Sequence, residues 1–401
     1  MPFRAKVMTD KPQSIWSTWF VLLLCHCLLL HALVLMLRVA ATYQAISIGL
    51  DGFRIGVIGG AFGVLPALIG LHLGGIIERL GEVPSFVLGG GMSLAAALLF
   101  HFLGDTLTLL MVASVVLGLG QFVCVVTEHN AIARMFAGYG RDTAFGYLTV
   151  AVSLAQAAGP VIVWVYGRDA LIPDTGGLFV AGVVLAGLLL LIGVVIRPPG
   201  HRYEPSGHGA LGTLRVLLTT RGFLLSTMAA LVIFAAMDLL ALYLPLYGAE
   251  RGIGAGIIAL LLSVRAIASM ISRLMFGPLL QLFGRAKLLV TSMLLAGTSI
   301  GLLPISDQPA VLGMLMFAAG LGLGFGAPLT LSWISEIAPR TMRASALSLR
   351  LAFNRAGQAS LPVLVGLAAA SLGAAGVLFA TSATLVAAAA VSGRHFGIKF
   401  R

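Results

Sequence analysis

Charged side chains are scarce in this chain. Of its 401 residues only 10% are Asp, Glu, Lys or Arg, and 59% are hydrophobic, whereas soluble domains carry about 25% charged residues. So little charge leaves no means of covering a water-facing surface. The mean hydropathy of +1.05 therefore excludes a soluble enzyme or binding module. Cysteine is nearly absent. Cys25, Cys27 and Cys124 all fall in apolar stretches, so no disulfide framework is implied. Cys25-His26-Cys27 is no metal motif, because consecutive helical residues point about 100° apart and three in a row do not converge on one ion. Polar/apolar alternation is missing, which excludes the strands of a membrane barrel. A phosphate-cradling Gly-x-x-x-x-Gly-Lys-[Ser/Thr] is missing as well, which argues against direct drive by ATP. No set of aligned catalytic residues stands out, so the chain is not expected to be an enzyme, and no cofactor or metal is expected.

What is present is apolar length. A helix needs roughly 20 apolar residues to cross a bilayer. Twelve such segments can be drawn, near 16–41, 55–77, 84–103, 107–129, 143–166, 177–196, 223–247, 254–280, 288–304, 309–334, 344–369 and 374–392. The first is longer than a signal-peptide core and is read as a retained helix. The net charge of +11 is a topology signal and does not point to nucleic acid. With the N-terminus inside, the tails and inner connections hold 17 Lys and Arg, and the outer connections hold only 3, Arg54, Arg168 and Arg251. Both termini are thus expected in the cytoplasm, and the protein in a bacterial inner membrane.

The chain also matches itself. "GGIIERLGE" (Gly74–Glu82) aligns with "GPLLQLFGR" (Gly277–Arg285), and "RDTAFGYLTVAVSLAQAAGP" (Arg141–Pro160) aligns with "RASALSLRLAFNRAGQASLP" (Arg343–Pro362). Several matches in order, at a nearly constant offset, indicate two homologous six-helix halves. The expected division is 1–196, a polar linker 197–221, and 222–401. This arrangement resembles the major facilitator superfamily of secondary transporters. The loop between the second and third segments is similar to that family's Gly-x-x-x-Asp-Arg-x-Gly-Arg-Arg. Gly74, Glu78, Arg79 and Gly81 stand at matching positions, and the second copy has Gly277, Gln281, Gly284 and Arg285. Gly81 and Gly284 are expected to permit tight turns, and Gly74 and Gly277 to let helices approach closely. In the family this loop latches the halves together on the cytoplasmic side. "LAQAAGPVIVW" in the fifth segment resembles, at Gly159-Pro160, a motif of the family's proton-driven exporters.

The resemblance implies twelve helices and a central cavity lined by helices 1, 4, 7 and 10, flanked by 2, 5, 8 and 11. Ionisable groups inside a bilayer are rare and functional by default. The candidates for substrate and proton handling are His31, Arg38, Gln121, Asp238, Arg265, Asn354, Arg355 and Gln358. Arg273 lies a little over two turns beyond Arg265. Arg350, Asn354 and Gln358 share a polar face, and at 1.5 Å per residue Arg355 lies about 18 Å into the eleventh segment. Its repeat mate is Ser153, so the two halves are chemically asymmetric there. Arg355 is expected to meet either an anion or an intramembrane acid, or else to bond helix backbones. Asp238, the one acid in mid-span, is expected to be a proton carrier or a permanent partner of Arg38 or Arg265. Glu128 and Arg350, near the inner ends of their helices, are expected to pair as a cytoplasmic gate. The reading is an alternating-access transporter acting as a monomer on a small molecule, with protons as its partners and the lipid bilayer as its solvent. Proton-coupled efflux of an amphipathic or anionic compound is the first choice. Proton-coupled uptake of an anionic metabolite and lipid translocation are the alternatives.

Overall fold

In lipid every backbone N–H and C=O must find a partner within its own segment or its neighbours, so apolar runs of this length fold as helices. The computed structural model describes residues 16–136, 138–197, 216–217, 219–220, 222–338 and 343–397. The basic tails, most of the linker and the side chain of Glu78 lie outside the described residues, and the surroundings of Gly74 are likewise not described. The helices are α1 Thr18–Ser47, α2 Gly52–Leu80, α3 Glu82–Leu103, α4 Leu107–Met135, α5 Gly138–Gly167, α6 Thr175–Val195, α7 Phe223–Arg251, α8 Ala255–Leu274, α9 Phe276–Leu302, α10 Pro309–Gly324, α11 Gly326–Ile337 and α12 Arg343–His395.

These helices make twelve crossings. α9 is broken at Gly284, so its head extends the eighth crossing and its body is the ninth. α10 and α11 run on as the tenth, and α12 reverses at Gly373 to make the eleventh and twelfth. Eleven stretches of the described residues are long and apolar enough to span a membrane. The remaining crossing, α12 before Gly373, is diluted by Arg350, Asn354, Arg355 and Gln358.

The internal repeat appears in the backbone. Gly81 adopts φ 84° and ψ 170°, and Gly284 adopts φ 71° and ψ 161°. Both sit in a region reserved for glycine, where another residue costs about 1–3 kcal/mol. No heavy atom lies within 4 Å of a Cβ built on either one, so the constraint is backbone conformation and not crowding. Gly81→Val and Gly284→Val are each expected to lower stability by about that amount and to slow transport. Thermal unfolding and turnover in proteoliposomes are the checks, and wild-type values in both variants would remove the constraint. Gly277 corrects the expectation of close helix approach. A Cβ there also meets nothing within 4 Å, because this stretch is exposed, as is Gln281.

The residue after each of these turns is tied to the following helix pair. Arg134 Nη1 donates to Glu82 Oε1 at 2.8 Å, and Arg285 Nη1 donates to Glu336 Oε2 at 2.6 Å. The two pairs occupy repeat-related positions with their charges exchanged. The Arg285 guanidinium holds the Glu336 carboxyl below the usual carboxylate range. Arg79 is exposed.

The hydrogen bonds that join the two bundles gather at one end and at mid-depth. At the end carrying the turns 48–51, 168–174 and 252–254, Ala255 N donates to Ala170 O at 2.7 Å and Gly256 N to Arg168 O at 3.0 Å. Tyr243, buried on α7, reaches both Gly52 O and Pro362 O at 3.1 Å. α2 lies backbone to backbone on α12 through Gly56 and Gly60. Toward the opposite end the hydrogen bonds between bundles stop at mid-depth among the described residues, the last being Arg273 Nη1 to Ser153 Oγ at 2.7 Å.

Candidate functional site

Below this seal lies a cavity of about 290 Å³ between the bundles. α1 contributes His31 and Arg38, seven residues apart and so on one face. α4 contributes Gln121, α5 Gln156, α7 Phe234 and Asp238, α8 Arg265 and Arg273, and α12 Arg355 and Gln358. A second hollow of about 460 Å³ shares Thr149, Arg273 and Ala327 with the first and continues it past Gly146 and Leu331. That route leads away from the sealed end.

The wall is cationic. Four arginines face one carboxylate. Arg38 Nη1 donates to Asp238 Oδ1 at 2.8 Å across the bundle interface, and its guanidinium carbon sits 4.6 Å from the centre of the Phe62 ring. Arg355 Nη1 donates to Gln358 Oε1 at 2.8 Å and to Gln121 Oε1 at 3.2 Å, the second bond again crossing between bundles. Several polar atoms find no hydrogen-bond partner among the described residues: Arg38 Nη2, Arg265 Nε and Nη1, Arg273 Nε and Asp238 Oδ2. Arg265 is 2% exposed. A buried guanidinium without an acceptor is costly, and these donors point to an anion as the ligand that would satisfy them.

Most of the residues singled out from the sequence converge here: His31, Arg38, Gln121, Asp238, Arg265, Arg355 and Gln358. Three do not. Arg350 and Asn354, one turn apart, are buried on a different face of α12 from Arg355. Arg350 Nη2 donates to Thr330 Oγ1 at 2.9 Å and its guanidinium carbon sits 5.5 Å from the Phe234 ring centre. Asn354 is 8% exposed and is not on the cavity wall. Glu128 is fully buried and accepts from His26 Nδ1 at 2.8 Å. The expected Glu128–Arg350 pair is therefore not formed. At that level α1 covers α4, so the acid meets His26, and Arg350 turns into its own bundle.

Two polar wall residues, Thr149 and Gln156, were not among the candidates. Gln156 carried a usable signal, since it is the repeat mate of Gln358 and both line the cavity. Arg273, which the sequence places a little over two turns beyond Arg265, stands on the wall beside it, since eight residues on an ideal helix turn by only about 80°.

The Major Facilitator Superfamily model matches residues 20–259 and 248–397. Among solved structures, the nucleoside transporter NupG superposes with a TM-score of 0.76 at 14% identity, covering 96% of this chain and all of that one. A POT family transporter in complex with 5-aminolevulinic acid gives 0.77 at 13% identity, covering 93% and 94%. A bacterial homolog of the human lysosomal transporter Spinster, inward-facing and unoccupied, gives 0.71 at 17% identity, covering 96% and 99%. At such identities the likeness is one of fold. No curated protein sequence matches the chain.

Proposed function

We infer, for a chain that belongs to the Major Facilitator Superfamily, that it carries a small organic anion across the membrane together with a proton. The family and its fold make the protein a secondary transporter and not an enzyme. The observation that carries the finer reading is the cavity wall, with Arg38, Arg265, Arg273 and Arg355 against the single acid Asp238. The charge asymmetry of the connections favours a cytoplasmic location for both termini and a bacterial inner membrane as the host. In that orientation the sealed end faces outward, and the structure corresponds to an inward-facing state. Residues 1–196 would rock against 222–401 to reach the other.

Asp238 and a bound anion compete for one guanidinium. Protonation of Asp238 releases Arg38 to the anion, and the anion in turn favours the protonated acid. Proton and anion therefore bind with positive coupling. Ligands that bind together travel together, which favours symport. On this ground uptake of an organic anion ranks ahead of efflux, which the sequence had put first.

The test is thermal stabilisation of the purified protein, since a ligand that binds only the folded state stabilises it by mass action. Mono- and dicarboxylates, organophosphates and neutral isosteres of matched size would be compared. Stabilisation by an anion, absent for its neutral isostere, is the expected result. Stabilisation by neutral or cationic compounds alone would overturn the reading.

A further inference from the structure

Beside the cavity, inside the first bundle, lies a group of side chains of which only His31 stands on the cavity wall. Cys27 Sγ, a ring nitrogen of His31 and a carboxylate oxygen of Glu128 all lie within 4.8 Å of one another. We propose that Cys27, His31 and Glu128 form a binding site for a divalent cation of the zinc class.

The ligand set follows from helix geometry. Cys27 and His31 are four residues apart on α1 and so share a face, while Glu128 comes from α4. Cys25, two residues before Cys27 and so turned by about 200° on the helix, is exposed. In a tetrahedral zinc site, a bond of about 2.3 Å to sulfur and about 2.0 Å to nitrogen would set those two atoms about 3.5 Å apart. Cys27 Sγ and His31 Nδ1 stand 3.6 Å apart. In the bound form the ring proton moves to Nε2, and Nδ1 exchanges its 3.0 Å contact with the Cys27 carbonyl for the ion.

Two further observations point to a ligand. Glu128 is fully buried, yet its Oε2 makes no hydrogen bond within normal distance among the described residues. Its Oε1 is held by His26, an arrangement that orients a carboxylate toward a metal from the outer shell. His26 is itself packed edge-on against Phe86, 4.8 Å between centres, so the orienting group is fixed. The charge count also closes. A divalent cation with one thiolate and one carboxylate is neutral, and a neutral cluster avoids the cost of an isolated ion in a dry interior. Access is provided by His31, which stands on the cavity wall and leaves the fourth position for water or a bound anion.

The experiment is a Co2+ titration of the tag-free, full-length protein in detergent, followed by absorption spectroscopy. One equivalent is expected to produce a thiolate-to-cobalt charge-transfer band that Zn2+ bleaches. Cys27→Ser should lose that band, while Glu128→Gln and His31→Ala should keep the thiol yet bind at least tenfold more weakly. Cys25→Ser, at an exposed position outside the cluster, should titrate like the wild type. Should Cys27→Ser fail to fold, the Zn2+ form of the wild type provides the second measurement. Its X-ray absorption should show one sulfur among nitrogen and oxygen neighbours. A wild type without the band, a band undiminished in Cys27→Ser, or zinc with no sulfur neighbour would each overturn the proposal.

Discussion

Asp238→Asn is expected to abolish uphill accumulation while leaving exchange of substrate across the membrane intact. Among the described residues Asp238 is the only acid on the cavity wall, and its bond to Arg38 joins the two bundles. Asparagine keeps the shape and can still accept a hydrogen bond, but it carries neither the charge nor the proton. With one proton moved per anion, a pH difference of one unit is worth about 1.4 kcal/mol and supports about tenfold accumulation of the electroneutral pair. In the variant the same gradient should support none, so proteoliposomes should fill only to equal concentrations inside and out. Counterflow, which needs binding and rocking but no proton, should persist. Removing one partner of a buried pair leaves a charge uncompensated and is commonly destabilising by about 3–5 kcal/mol. Both side chains here keep some exposure, 11% and 16%, so the loss should fall below that range, and a bound anion should restore part of it. Asp238→Glu, which retains the titrating group, should accumulate substrate. Accumulation by Asp238→Asn against a gradient would remove this acid from the coupling mechanism.

The parts of this architecture legible in the sequence are those set by spacing along one chain. Apolar length gave the crossings, and the offset of 202–203 residues anticipated that Gly81 and Gly284 share one backbone conformation. The scarcity of ionisable residues in the spans made Arg38, Asp238, Arg265 and Arg355 conspicuous before their positions were known. What stayed hidden depends on which helix covers which face. Arg350, Asn354 and Arg355 are nearly contiguous, yet only Arg355 reaches the cavity, because the rotation of α12 about its axis is fixed by its packing on α2 and α7. Glu128 reads as an end-of-helix acid free to reach across the interface. Its burial against His26 follows from the packing of α1 on α4, which no local pattern encodes. Gly277 carries a motif glycine without the close contact that such glycines often serve. Contacts that do require glycine, those at Gly56 and Gly60 among them, lie in a stretch of α2 outside that motif.

Those two glycines bear the second large effect. A Cβ at Gly60 would stand 2.5 Å from the carbonyl oxygen of Ala359 and 2.8 Å from Val363 Cγ2, and one at Gly56 would stand 2.3 Å from the carbonyl oxygen of Pro362. The obstacles are mostly backbone, in a helix anchored by the Tyr243 bonds to Gly52 and Pro362, so the neighbour has little room to yield. Gly60→Leu should force α2 and α12 apart. Overpacking of this kind costs about 1–3 kcal/mol, and here it applies only to the conformation in which the two helices touch. An energy that acts on one state alone shifts the balance between states, by about 5- to 150-fold for that range. The variant should leave the sealed form, open at the 48–51 end, and turn over at a small fraction of the wild-type rate. The measurement is the distance between spin labels at Ser47 and Leu372, both exposed, in a Cys25→Ser background. It should lengthen in Gly60→Leu. Gly75→Leu, on the same helix where a Cβ meets nothing within 4 Å, should leave both distance and rate unchanged. An unchanged distance with normal turnover in a folded Gly60→Leu protein would mean that the α2–α12 contact does not hold this end shut.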